Sequence, residues 1–533
     1  MLFAWLGGTF QKYFRQVKER NSELLLIGNK KLNSKVKLSY TFGIADAARQ
    51  SDFTQTSANG LLVPNKFDLG FARNLAVGTG FVERDLQSVF GSVQVSLNDY
   101  LYFDVTARND WSSTLPAPHS YFYPSLGLTT VLSDIIELPN FINFAKLRGS
   151  YTRVGNDAAP YLLTQTYSFS QGGTGGFINR DGTQAIGDLQ PELTTSLEFG
   201  FDGRFFDNRL GLDVTFYKTN SVNQVLSLPL APASGFSNQY INAGNIENAG
   251  VELTLTGSPI KKNDFTWDVT LNYARNVNAI VSLHPDIKQT LLSSGYGRTA
   301  GVLVKEGGAY GDLYTEGWAR TPSGQFIMDG AGKPVVSSSQ EFLGNFNPKF
   351  TLGLNNAFSI GKISLNVLVD ARIGGVMTSG SDASLAFDGS SAYTTAYREG
   401  GWVIPGVTLS NNEYIPNTTP VNAETFWTTV SNGRYSWGQV FTYDATNVRI
   451  REAAVGYDFN INSQYVKRAK LSIVARNLFF LAKGNAIVDI PGIPTRKMWF
   501  DPDVNLGAGN YQGVEYGTLP SARSIGLNLS LSF

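Results

Sequence analysis

Residues 524–533 read SIGLNLSLSF, and the alternation in this stretch sets the fold. Ile525, Leu527, Leu529, Leu531 and Phe533 fall on one side of an extended chain, and Gly526, Asn528, Ser530 and Ser532 fall on the other. Successive side chains of a strand point to opposite faces, so period two gives one apolar and one polar face. The pattern recurs upstream in KVKLSYTFG (Val36, Leu38, Tyr40, Phe42) and SLEFGF (Leu197, Phe199, Phe201). It returns in RLGLDVTFY (Leu210, Leu212, Val214, Phe216), GVELTLTG (Val251, Leu253, Leu255), FTWDVTLNY (Phe265 to Tyr273) and KFTLGLNNAF.

About fifteen such segments are readable, most near the ten or so residues with which a tilted strand crosses a bilayer. They fall near 12–27, 35–46, 87–97, 101–109, 120–134, 144–154, 194–204 and 209–219. The rest fall near 248–258, 264–275, 349–359, 362–373, 446–459, 469–482 and 524–533. Connections alternate in length. Asn98-Asp99, Asp207-Asn208 and the Ile360-Gly361 pair read as tight hairpin turns. Between them lie long connections, near 47–86, 157–193, 220–247, 276–348, 374–445 and 483–523. Short turns at one end and long loops at the other are the layout of an outer-membrane barrel. The expected fold is therefore all-β, a transmembrane antiparallel β-barrel with short periplasmic turns and long extracellular loops.

The alternative is a soluble β-sandwich or solenoid, because alternation alone says only that one face is apolar. Composition weighs against it. Only 16% of the 533 residues are charged, 13% are aromatic and 55 are glycine, whereas ordinary globular chains carry nearer a quarter charged residues. The second face is Gly, Ser, Asn and Asp, and aromatics cluster near strand ends (Tyr100, Tyr102, Phe103; Tyr121, Phe122, Tyr123; Phe205, Phe206; Phe479, Phe480), as interfacial girdles do. Lys plus Arg equals Asp plus Glu at 43 each, so no excess charge points to nucleic acid. The absence of cysteine removes disulfides and thiolate metal sites. Two histidines, His119 and His284, leave little for metal ligation or acid–base catalysis, so neither enzyme activity nor a cofactor is expected. The start, MLFAWLGGTF, lacks a basic n-region and a small-residue cleavage site and is a poor signal peptide.

From about residue 35 onward, a series of blocks resembles the SusC/RagA-type TonB-dependent outer-membrane transporters of Bacteroidetes. In order they are ARNDWSSTLP (107–116), FYPSLGLTTVLSD (122–134), KLRGSYTRVGND (146–157) and LQPELTTSLEFGFDGRFFDNRLGLDVTFY (189–217). NAGNIENAGVELTLTG (242–257), GNFNPKFTLGLNN (344–356), NVRIREAAVGYDF (447–459) and ARNLFFLAKG (475–484) follow. The Asp501-Pro502-Asp503 step and LPSARSIGLNLSLSF (519–533) close the series. Barrels of this class have 22 strands. The resemblance implies that residues 1–533 are the carboxy-terminal part of such a barrel, with the signal peptide, N-terminal soluble domain and plug absent from the chain. It also implies uptake of oligosaccharides or oligopeptides across the cell outer membrane. A SusD-like surface lipoprotein would act as lid, and the TonB–ExbB–ExbD motor would pull on the plug. A passive plugless pore and a non-transporting surface barrel share every barrel feature and stay open.

Several residues are candidates for binding. The loop 374–445 carries Tyr393, Tyr397, Trp402, Tyr414, Phe426, Trp427, Tyr435 and Trp437; of these, Trp402, Tyr414, Phe426, Trp427, Tyr435 and Trp437 are the substrate-binding candidates. Their rings offer stacking area on an outer loop, against the alternatives of loop packing or contact with a lid protein. Arg449 and Arg451, two apart on one strand, are expected with Asp370, Arg372 and Arg476 on the lumen side, because a charge facing lipid at mid-depth costs about 2–4 kcal/mol. Asp110 with Ser112–Ser113, and Asn242, Asn245 and Asn248 with Gly244 and Gly250, read first as turn and strand-end chemistry. GGTGGF (172–177) lacks the lysine and helix of a phosphate loop. Asp501, Asp503 and Glu515 are weighed as calcium ligands against a solvated loop.

Overall fold

The computed structural model describes residues 8–170, 172, 174–285, 287–293, 300–432, 436–461 and 465–533. The apolar start at 1–7 and Tyr435 lie outside the described residues. Fifteen long strands follow one another in chain order in one sheet. They are β1 (Thr9–Lys31), β2 (Val36–Leu61), β3 (Ala72–Leu97), β4 (Leu101–Ser112), β5 (Ser120–Val131), β6 (Ile142–Asn156), β7 (Glu192–Phe205) and β8 (Leu210–Pro229). The others are β9 (Asn238–Lys262), β10 (Phe265–Ser282), β11 (Phe350–Ile360), β12 (Ile363–Ile373), β13 (Asn447–Phe459), β14 (Arg468–Lys483) and β15 (Ser524–Ser532). Each of the fifteen segments read from period two overlaps one of them.

Two boundaries move. The stretches 47–86 and 220–247, read as loops, are mostly strand. β2 and β3 pair from Val36↔Leu97 to Leu61↔Ala72 and are joined only by 62–71, and β8 and β9 leave only 230–237 between them. The turns hold more closely. The Tyr100 N–H donates to the Leu97 carbonyl at 3.2 Å across Asn98 and Asp99, both at positive φ (50° and 59°). The same mirror-image turn closes over Asp207 and Asn208. Such turns match the twist of the strands they join, and Asn and Asp tolerate them. In the third hairpin Ile360 pairs with Ile363, so the turn residues are Gly361 and Lys362, one position later than read. Gly361 takes the positive φ of 53°.

The chain divides into two compact units. One comprises Met1–Thr130, Arg148–Leu197 and Asn220–Gly244; the other comprises Val131–Leu147, Glu198–Thr219 and Asn245–Phe533. In the first unit β1 to β5 pair antiparallel in unbroken register. In the second, β10 to β15 pair antiparallel, with register shifts where β13 meets β12 and β14.

Burial separates barrel from sandwich. A soluble sandwich hides the apolar face of its strands in the core. Here that face is open: Leu527 is 75% exposed, and Phe42, Phe103, Leu197, Phe199, Phe216 and Ile473 are exposed as well. An exposed apolar face on paired strands is a surface for lipid. Most buried apolar side chains of the second unit lie instead in the long connections 283–349, 374–446 and 484–523. The largest cluster draws Trp318, Phe326 and Met328 from the first, Phe426, Trp427 and Phe441 from the second, and Ile490 and Ile493 from the third. The three loops therefore share one core. Two short helices belong to it. α1 (Gly380–Phe387) is capped by Ser379, whose Oγ accepts from the Asp382 N–H at 3.0 Å; α2 (Ala423–Val430) is capped by Asn422, whose Oδ1 accepts from the Thr425 N–H at 2.6 Å.

Candidate functional site

The aromatic residues of loop 374–445 turn mostly inward. Trp402, Phe426, Trp427 and Trp437 are buried, and their rings meet one another and Trp318: Trp402–Phe426 at 4.7 Å, Phe426–Trp427 at 4.9 Å and Trp318–Phe426 at 5.5 Å. Rings packed this way build the loop core and leave no face free for stacking. Of the substrate candidates among the described residues, Tyr414 alone is exposed. Its short strand, Glu413–Pro416, pairs with Val407–Ser410 at the surface. α2 explains the inward turn: Ala423, Phe426, Trp427 and Val430 recur at helical spacing and form one apolar stripe.

A buried carboxyl group ties this core together. Asp382 of α1 is fully buried and accepts three hydrogen bonds, from the Tyr393 hydroxyl (2.9 Å), the Tyr443 hydroxyl (2.6 Å) and the Trp499 indole N–H (3.0 Å). Burial, and then the adjacent Asp382 charge, push both tyrosines well above the ordinary phenol range. Two of the three donors, Tyr443 and Trp499, lie 61 and 117 residues along the chain from Asp382, so no local motif announces the site.

The charged wall residues come together. Arg449 Nε donates to Asp370 Oδ1 at 3.2 Å, and Arg451 Nε donates to Asp370 Oδ2 at 2.8 Å. Asp503 of the loop 484–523 pairs with both arginines, and Asp501 stands 4.0 Å from Arg449. The register jumps here: Val369 pairs with Ile450 and Leu368 with Glu452, leaving Arg451 as the extra residue of a bulge. Arg449 and Arg451, two apart on β13, both reach Asp370 at this bulge. Arg372 donates to the Phe346 carbonyl, and Arg476 pairs instead with Glu452 at 2.9 Å. Glu515 hydrogen-bonds Ser379 (2.5 Å) and Ser381 (2.6 Å) away from Asp501 and Asp503. The three carboxylates do not converge, and Asp501 and Glu515 are buried rather than solvated.

The strand-end motifs are occupied by structure. Asp110 is buried and accepts from Arg108 Nε (2.7 Å) and the Tyr123 hydroxyl (2.6 Å). Ser112 and Thr114 donate to Asp157, which also takes Arg84 at 2.8 and 2.5 Å. Asn242 bonds both backbone groups of Gln190 and the Asn223 carbonyl, locking a re-entering chain. GGTGGF, whose Gly173 lies outside the described residues, joins the two-stranded hairpin Tyr167–Ser170 and Phe177–Arg180.

Two clefts open on the polar side of β9 to β12. One, of about 520 Å³, is lined by Glu252, Thr254, Asn272, Asp370, Arg372, Arg451 and Asp503 among others. The second, of about 730 Å³, is bounded by wall residues Tyr217, Asn248, Asn276 and Asn278 and by loop residues Tyr310, Asn345 and Asn347. Tyr273, Ala274 and Thr351 border both. Both volumes are in the range of ligand sites. Of these amides only Asn248 stood out in the sequence, and there as a backbone device. The available signal was the alternation NYARNVN, which sets Asn272, Asn276 and Asn278 on one face of β10.

Comparison with known proteins gives concordant matches. Residues 3–283 match the family model described as TonB dependent receptor-like, beta-barrel. TonB-dependent receptor P3 of Formosa agariphila is 26% identical over 491 residues, covering 85% of this chain and 46% of that protein. The TonB-dependent receptor SusC of Bacteroides thetaiotaomicron is 29% identical over 222 residues, 38% of this chain and 22% of that protein. The structure of the RagAB peptide transporter superposes with a TM-score of 0.75 at 18% identity, covering 98% of this chain and 56% of that one. The chain thus spans about half the length of TonB-dependent receptor P3.

Proposed function

Because this chain belongs to the TonB dependent receptor-like β-barrel family, we propose that it supplies the wall and the folded outer loops of a nutrient importer. It is an outer-membrane β-barrel protein of SusC/RagA type, and its family is one of receptors and transporters rather than enzymes. The cargo in this reading is an oligosaccharide or an oligopeptide, and the RagAB peptide transporter is a precedent for the latter. One observation carries the reading. A wall whose apolar side is exposed to lipid holds, on its other side, polar clefts bounded by ordered outer loops.

In this mechanism the cap made by the three co-folded loops presents the clefts to solute. A SusD-like surface lipoprotein closes over them from outside. The TonB–ExbB–ExbD motor acts through a plug in the lumen, and residues 1–533 are the carboxy-terminal barrel portion of the working receptor. Asp370, Arg372, Arg449, Arg451 and Arg476 lie toward the lumen, with the Asp501–Asp503 segment held against Arg449 and Arg451. The buried rings Trp402, Phe426, Trp427 and Trp437 fix the shape of the cap, and Tyr414 and Tyr435 remain the binding candidates among the loop aromatics.

The test is uptake of labelled oligosaccharides and oligopeptides by wild-type cells and cells lacking the gene, with and without a protonophore. Uptake lost on deletion and on de-energisation supports the importer. Uptake lost on deletion but indifferent to the protonophore supports the passive pore. Uptake unchanged by deletion leaves the non-transporting surface barrel.

A further inference from the structure

We propose that the 730 Å³ cleft is a binding subsite for an acidic oligosaccharide, a glycan carrying carboxylate or sulfate groups. The assignment rests on the import reading above and narrows its cargo. The cleft is bounded by five asparagines and three tyrosines, Asn248, Asn276, Asn278, Asn345, Asn347, Tyr217, Tyr273 and Tyr310. A primary amide both donates and accepts, and so does a sugar hydroxyl, so a row of amides suits a polyhydroxylated chain.

The amides are held in place before any ligand arrives. Asn248 Oδ1 accepts from Asn276 Nδ2 (3.0 Å) and from Asn278 Nδ2 (2.9 Å). Asn276 Oδ1 in turn accepts from the Tyr217 hydroxyl (3.1 Å), and Asn278 Oδ1 accepts from the Tyr310 N–H (2.7 Å). On the loop side, Asn347 and Asn345 both donate to the Tyr310 carbonyl, at 2.9 and 3.1 Å. Asn345 also donates to Asp312 at 2.9 Å, a buried carboxylate that does not border the cleft. Each of Asn276 and Asn278 spends one of its two amide hydrogens within the network and keeps the other for a ligand. Preorganisation of this kind lowers the ordering cost of binding.

Charge and strand pairing select the ligand class. The charged residues bordering the cleft are Lys349 and Arg275, and no carboxylate borders it. Alternation sets Arg275 on the opposite face from Ala274 and Asn276, so the relevant cation is Lys349. Lys349 is exposed and makes no ion pair among the described residues. Its stem is steered by a close approach: a Cβ on Gly374, at φ +77°, would meet Lys349 Cγ at 2.8 Å. In the neighbouring cleft Arg451 is neutralised by Asp370 and Asp503, whereas here the positive charge is uncompensated. A peptide is less well served. β10 is paired with β9 on one side and β11 on the other, so no strand edge is free to take a peptide backbone.

The experiment uses the receptor purified in detergent from its native outer membrane, with binding read by titration calorimetry. The probes are oligogalacturonides, sulfated galactan oligosaccharides, neutral malto-oligosaccharides of matched length and an aspartate-rich peptide. At least one acidic glycan series is expected to bind, with affinity falling as salt rises. Lys349→Gln is expected to weaken that binding about fivefold, the scale of one partly exposed ion pair. Asn276→Ala with Asn278→Ala is expected to weaken it further. Unchanged heat-modifiable mobility on gels shows that each variant still folds. Preference for the neutral series or the peptide, binding by none of the probes, or indifference to both variants overturns the assignment. The same variants are then assayed for cellular uptake. If deletion of the gene changes no uptake, the import reading itself fails. If deletion abolishes uptake of a neutral glycan or a peptide, only the acidic-glycan subsite fails.

Discussion

Replacing Asp382 is expected to loosen the outer-loop cap while leaving the wall of strands intact. The carboxyl group is fully buried, and three donors from 393, 443 and 499 converge on its two oxygens. Asp382→Ala removes every acceptor and strands three polar hydrogens in the loop core. A buried donor left unsatisfied costs about 1–3 kcal/mol. Local relaxation and entry of one water into the vacated space reduce the sum, which gives a loss of about 3–6 kcal/mol. Asp382→Asn keeps Oδ1 for Tyr393 and Trp499 and disturbs only the Tyr443 contact, so its cost is about 1–2 kcal/mol. The readout is hydrogen–deuterium exchange of the purified protein. Since 1.4 kcal/mol is tenfold in an equilibrium, Asp382→Ala is expected to speed exchange at least about 100-fold in peptides from 374–446 and 484–523 together. Peptides from β10 to β12 are expected to stay protected. Wild-type protection in both loops of Asp382→Ala, or equal loss of protection in the wall, would refute the reasoning.

Three further outcomes follow from the same structure. Tyr393 and Tyr443 titrate well above the ordinary phenol value of 10.0. Because the folded-state values are the raised ones, the stability they contribute is fully present below about pH 10 and falls as pH rises from there toward the folded values. Exchange in the cap is therefore expected to accelerate above pH 10 before the wall does, and Tyr443→Phe is expected to flatten that rise. Arg449→Ala leaves Asp370 and Asp503 to Arg451 alone, and is expected to cost about 1–3 kcal/mol and make 484–523 more open to protease in intact membranes. Leu527→Arg places a charge on the exposed apolar face of β15 and is expected to cost about 2–4 kcal/mol, seen as a lower heat-modification temperature, whereas Asn528→Arg on the polar face is expected to be milder.

How much of this was legible depends on the range of the forces involved. Each wall strand announces itself because which side a residue faces is fixed by its own backbone, and lipid against one side enforces the alternation locally. Outside the bilayer that rule lapses. RQSDFTQTSANG in β2 and LAVGTGFVERD in β3 have no such contrast between faces, so they read as loop although their backbones pair without a break. The turns at Asn98-Asp99 and Asp207-Asn208 were readable because positive φ selects those residues locally.

The sequence by itself therefore determined the fifteen strands, their order and the outer-membrane family. Only the tertiary structure decided what the long loops do. Trp402, Phe426, Trp427 and Trp437 look like binding aromatics in the long loop 374–446, and burial in a core shared with 318–328 and 488–493 makes them structural instead. Asp382, Asp501 and Asp503 gained meaning only from partners contributed by other segments, and the amide cleft arises where β9 and β10 meet residues 310, 345 and 347. Backbone geometry acts between neighbours in sequence, whereas burial, ion pairing and cavity shape act between neighbours in space.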